Sequence, residues 1–175
     1  MTYEDDRGFE SLMMPRVMES IKSRHLLRLA DDDKDMKEVS DLQILKAGDI
    51  RIGVRMRRPE YLEKFPWDVT FRCKRDTGSA TEWSKIQDGW GDLMFYGFAN
   101  PYWKMFQSIV KWTLVSLHAV RRIVKEGKAL PGNPISNHDG TYFYAIDIRR
   151  WMTLDSKFVI DKNWSIKGDD HGQII

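Results

Sequence analysis

Residues 49–58 read DIRIGVRMRR, and the neighbours that this segment takes decide the fold. Ile50, Ile52, Val54 and Met56 alternate with Arg51, Gly53, Arg55 and Arg57. A period of two puts the first set on one face of a β-strand and the second set on the other. Arg58-Pro59 ends the strand. Residues 68–74, DVTFRCK, repeat the pattern: Val69, Phe71 and Cys73 point one way, and Asp68, Thr70, Arg72 and Lys74 the other. The strands are close in sequence, so the expectation is an antiparallel pair with coincident polar faces. That shared face carries Arg51, Arg55, Arg57, Arg72 and Lys74. Like charges on adjacent strands destabilise a sheet. A cluster of this kind therefore points to an anionic partner, either DNA or RNA, or an acidic protein. The competing expectation is a solvated face neutralised by Glu60, Glu63 and the acidic N-terminal region.

Working outward, residues 81–100 read TEWSKIQDGWGDLMFYGFAN. Thr81 is an N-cap candidate and Glu82 suits the positive end of a short helix that stops at Gly89. DLMFYGFA (92–99) is apolar on both faces, which predicts a central strand. Ile109, Val110, Thr113 and Val115 are β-branched, so 109–117 is expected as a strand, joined to its predecessor by a hairpin. A helix over 118–126 then ends at Gly127. Residues 129–140 carry loop chemistry, and TYFYAIDIRRW (141–151) is expected as another strand. Before these elements, 9–29 has helical spacing with Pro15 at its first turn, ADDDKD (30–35) is a solvated turn, and a strand is expected near 41–45. The segment 161–175 is expected to be irregular. The fold class is thus α/β (α+β): one domain over residues 1–175, with a central mixed sheet of five to six strands (core 41–150) flanked by helices.

Composition bounds the function. The chain has 175 residues, a net charge of +2 and one cysteine, Cys73. It is no uniformly basic polymer binder, so any anion site must be local. A lone cysteine suits a reducing compartment, and no apolar run reaches membrane-span length. The expected location is cytoplasmic, with no membrane partner. Seven Trp and six Tyr exceed what a core of this size needs. Trp67, Trp90 and Trp103 are candidates for base stacking, and surplus aromatics also fit a homo-oligomer interface. Zinc spacing, a P-loop, a dinucleotide fingerprint and a Gly-x-Ser-x-Gly elbow are absent. His118 and His138 stand alone.

Asp41 in SDLQIL, the strands IGVRMR and DVTFRCK, and the helix-then-strand TEWSKIQDGWGDLMFYGFA together resemble the restriction-endonuclease-like PD-(D/E)xK superfamily. The resemblance spans about residues 10–100. It implies a restriction-endonuclease-like core and Mg²⁺-dependent phosphodiester hydrolysis, and a phage-encoded origin would match. With Asp41 as first acid, the Glu-x-Lys position falls on Arg55-Met56-Arg57, which lacks the carboxylate and puts a permanently protonated arginine at the lysine position. With Asp68 as first acid, Glu82 and Lys85 follow at Glu-x-x-Lys spacing. The implied catalytic set is Asp68, Glu82 and Lys85, with Asp41 and Asp68 as metal ligands. The alternative is a phage-type inhibitor or interaction protein that uses the cationic face without catalysis.

Overall fold

Leu93–Ala99 forms β3, and its continuous apolar run reflects burial on both faces. Phe95 and Ala99 turn to one side, and Met94, Tyr96 and Phe98 to the other. The computed structural model describes residues 3–30, 50–102, 108–137 and 139–164, with first-helix side chains over 8–21. The expected strand near 41–45, Asp41, Trp103, His138 and the segment from 165 onward lie outside the described residues, as does 31–35 of the acidic turn.

Among the described residues the strands form two sheets, with β3 inside the larger one. The first has four strands in the order β1 (Ile52–Arg57), β3, β4 (Ile109–Ser116) and β7 (Val159–Lys162). β1 runs parallel to β3, while β4 is antiparallel to both β3 and β7. The second sheet has three antiparallel strands in the order β2 (Asp68–Arg75), β6 (Thr141–Asp147) and β5 (Ile135–Ser136). The expectation that residues 50–57 and 68–74 pair is therefore corrected, and so is the single central sheet of five to six strands. A parallel pair needs a long crossover. Residues 58–92 supply it as α2 (Pro59–Lys64), β2 and α3 (Glu82–Gln87), so β2 sits inside the connection and joins the other sheet.

The first helix, α1 (Tyr3–Ala30), covers the outer face of the larger sheet. Phe9, Met13 and Val17, spaced four apart, pack with Met56, Phe95, Trp112 and Leu114. Pro15 lies inside this helix rather than at its first turn. An interior proline removes one backbone bond. Burial of Phe9 and Met13 before it and Val17 after it holds the helix together across the break. The inner face meets the second sheet through Val69, Phe71 and Ile146, together with α3, α4 (Leu117–Lys125) and α5 (Ile148–Leu154). Ser116 caps α4 through the Ala119 amide, and Gly127 follows it in the left-handed region, as that helix requires. The strand expected over 141–151 stops at Asp147, whose carboxylate accepts from the Arg149 amide and starts α5. The segment expected to be irregular from 161 begins inside β7. Among the described residues no helix is long and apolar enough to cross a membrane.

Gly97 sits between Met56 and Trp112 in register. A Cβ there would lie 2.8 Å from the Met56 sulfur and 2.9 Å from the Phe95 ring. Gly97→Ala is expected to destabilise the protein by about 1–3 kcal/mol through overpacking. Urea denaturation measures this, and an unchanged midpoint would contradict the close packing of Met56 and Phe95 around Gly97.

Candidate anion site between the sheets

Register assigns the polar residues of the larger sheet to faces. Directly opposed residues share a face, so Arg57, Phe98 and Lys111 form one row across β1, β3 and β4. Arg55, Tyr96, Thr113 and Lys162 form the next row, reaching β7. Both rows belong to the face that looks at the second sheet. Arg55 and Arg57 thus turn inward, while Ile52, Val54 and Met56 meet α1. The result is a polar stripe at one end of an otherwise apolar inter-sheet core.

Each group on the stripe has an identifiable partner chemistry. Arg55 donates to Glu82 at 2.7 Å. Burial opposes the arginine's charge most strongly, but Glu82, Tyr96 and Glu10 together outweigh it and hold the Arg55 pKa above its ordinary value. The same Glu82 oxygen accepts the Arg72 amide at 3.0 Å, which satisfies an outward N–H on the free edge of β2. Tyr96 shares a hydrogen bond of 3.2 Å with Thr70, and burial pushes its phenol pKa up. Arg57 lies over the Tyr61 ring at 3.9 Å, and its Nε is buried with no hydrogen-bond partner.

Lys111 is the most constrained cation. It is only 3% exposed. Its ammonium donates to the Pro66 carbonyl and packs on Trp67 at 3.6 Å and Trp164 at 4.9 Å. Burial, then the nearby Arg149 and Lys162, push its pKa down from 10.5 to about 8. Trp67 and Trp164 meet edge to face, and the Trp164 indole N–H donates to Thr113 at 2.8 Å. Arg149 flanks Trp67 at 5.2 Å, and Lys162 flanks Trp164 at 4.1 Å.

Asp68 and Asp147 face each other at the start of β2 and the end of β6. Asp147 is gripped by Arg149 at 2.7 and 3.1 Å, a hydrogen-bonded contact that holds its carboxyl below the usual range. Asp68 is shifted the other way, by burial and by the Asp147 charge, with Arg149 opposing. Among the described residues, five cations (Arg55, Arg57, Lys111, Arg149 and Lys162) therefore stand with four carboxylates (Glu82, Glu10, Asp68 and Asp147).

The structure redistributes the residues read from the sequence. Of the expected catalytic set, Asp68 borders the stripe. Glu82 is committed at Arg72, four residues further along β2, roughly 13 Å of strand. Lys85 is exposed in the last turn of α3. The three do not meet, because α3 lies along the far end of β2. Among the described residues, no group of three or more His, Cys, Asp or Glu side chains could hold a metal ion. Of the expected cationic face, Arg55 and Arg57 reach the stripe. Arg51 pairs with Asp92 instead, and Lys74 lies beside the Tyr142 ring. The five do not share one pleated face, because β1 and β2 belong to different sheets. Lys111, Arg149 and Lys162 escaped sequence reasoning. Lys111 interrupts an apolar strand, and that interruption was the available signal.

His118 gains partners that its isolation in the sequence did not suggest. Its Nδ1 accepts from Arg121 at 2.9 Å, since arginine can only donate, and its Nε2 then donates to Asp92 at 3.1 Å. Both ring nitrogens are used in fastening α4 to the start of β3.

Glu82→Gln leaves the buried Arg55 guanidinium without its counter-charge. The expected cost is about 2 kcal/mol in urea denaturation, since the pair is partly exposed; an unchanged midpoint would sink the bridging role. Lys111 makes a pH prediction. Its folded pKa lies below its unfolded one, so the unfolded chain binds more protons between pH of about 8 and 10.5. Wild type should therefore gain stability relative to Lys111→Met as pH rises through that window, and not below it. Parallel stability curves for the two proteins would show that Lys111 is unstrained.

Neither family models, curated proteins nor solved structures match this chain.

Proposed function

We propose that this protein binds nucleic acid, and that backbone phosphate is met at the inter-sheet stripe. The observation that supports this reading is the excess of cations there: Lys111 is held beside Arg149 and Lys162 with its pKa pushed down to about 8. A buried lysine with a perturbed pKa beside two further cations supports a site adapted to a negative ligand. Arg149, about half exposed, is the solvent-side contact. Lys111 behind it contributes field rather than contact. Trp67 and Trp164 fix the cations in place, so little ordering is needed on binding.

Hydrolysis of the bound phosphodiester, as in a PD-(D/E)xK nuclease, is the finer part of the reading. It attaches to Asp68, which borders the stripe. Asp147 opposite is occupied by Arg149, and Asp41 lies outside the described residues. An acidic protein partner would use the same cations and is the competing outcome.

The test measures binding of single- and double-stranded DNA and RNA over a salt series, with chelator, Mg²⁺ or Mn²⁺, while following product length. Arg149→Ala should weaken binding across sequences and lower the slope of log affinity against log salt by about one. Arg55→Ala is unsuitable here, because its pair with Glu82 is more deeply buried than the half-exposed Arg149–Asp147 pair. An unchanged slope would remove the stripe as the phosphate site. Metal-dependent shortening lost in Asp68→Ala would establish the hydrolytic part. Absence of binding to all four polymers would turn the reading to an acidic protein.

A further inference from the structure

A second surface lies at the other end of β3, where residues 88–92 read DGWGD. Trp90 is 62% exposed there, the most exposed tryptophan among the described residues. An exposed indole on a slack loop would need no explanation. This one is on a tightly fastened turn. Gly89 and Gly91 on either side both have positive φ, 93° and 73°. The Trp90 amide donates to the Lys85 carbonyl at 2.9 Å. One Arg121 nitrogen donates to the carbonyls of Ile86, Trp90 and Gly91 at 3.2–3.4 Å. Arg121 is in turn fixed by His118, and His118 by Asp92. Asp92 also accepts the Arg51 amide at 2.9 Å. The turn thus joins α3, α4 and the approach to β1, and it holds the indole outward.

Three cations and two carboxylates lie around the turn, a net positive charge of one. The Arg51 guanidinium lies 5.5 Å from the ring centroid, Lys85 is exposed on α3, and Arg121 lies beneath the turn. Asp92 is consumed by Arg51 and His118, which leaves Asp88 as the exposed acid beside the ring. A preformed aromatic face edged by arginine and lysine matches a nucleobase with its phosphate, because every base has a π-face and the cations meet the backbone.

We infer that Trp90 is a stacking platform for an unpaired base, so that the nucleic acid bound is single-stranded. This rests on the nucleic-acid reading above but uses a different surface. In a duplex the base faces are already stacked and closed to the indole.

Fluorescence anisotropy with a labelled oligothymidylate and with a duplex of the same length tests it, using wild type, Trp90→Ala, Trp90→Phe and Arg149→Ala. Urea midpoints confirm that each variant folds. Trp90→Ala should weaken single-strand binding about tenfold and leave duplex binding unchanged, as expected for one lost stacked base. Trp90→Phe should restore most of the loss. Equal loss on both polymers, or no loss on either, overturns the inference. Loss in Arg149→Ala alone would leave the phosphate site standing and remove Trp90, whose exposure would then mark a protein contact. No binding by wild type removes both readings together.

Discussion

One carboxylate oxygen of Glu82 joins the two sheets. It accepts from Arg55 on the larger sheet and from the Arg72 amide on the edge of the smaller one. A strand edge with an unpaired N–H is a liability, and a buried guanidinium without a counter-charge is a larger one. Both are resolved by a side chain whose own position is set by the Thr81 cap, since Glu82 is the first residue of α3. The Thr81 hydroxyl also donates to the Cys73 carbonyl, so the same helix start closes a further edge group of β2. Glu82 therefore contributes to sheet packing, edge protection and charge balance at once. That commitment is what withdraws it from a catalytic set with Asp68.

The inter-sheet space divides along the strands because of this constraint. At the Met94 end, apolar residues from β3, β4 and α4 close the core. At the Phe98 end, Arg57 and Lys111 enter the same layer, each against an aromatic ring, and Lys162 lies beside Trp164. Ring faces attract cations but do not neutralise them. The lowered Lys111 pKa follows first from its burial and then from the Arg149 and Lys162 charges nearby. A carboxylate in place of either tryptophan would have opposed that shift.

Local features were legible in the sequence because local chemistry decides them. Alternation marked β1 and β2, a double-faced apolar run marked β3, and β-branched residues separated β4 from α4. Thr81 and Gly127 fell at the helix ends that their conformational preferences favour. Alternation, however, distinguishes two faces without saying which one meets solvent. The arginine face of residues 49–58 was expected to lie open to an anionic partner or to solvent, yet over 52–57 both faces are covered. Long arginine and lysine stems can line an interior layer while their charged ends find rings or a single carboxylate. The start of α5 was missed for a related reason. Ile146 and Ile148 continue the alternation of β6, and only the Asp147 carboxylate, bonded to the Arg149 amide, marks the change.

Strand partners were not legible, and the parallel pairing of β1 with β3 explains why. Proximity in sequence favours hairpins, but a parallel pair forces everything between its strands into a crossover layer. Here that layer contains a strand as well as helices, so β2 seeds a second sheet with β6 from late in the chain. The same crossover positions the stripe. It brings Tyr61, Trp67 and Thr70 over the inner face just where Arg57, Lys111 and Tyr96 emerge. A hairpin between β1 and β2 would have spread the cations over one exposed surface. The crossover instead gathers some of them against aromatic rings and leaves Arg149 as their outlet to solvent.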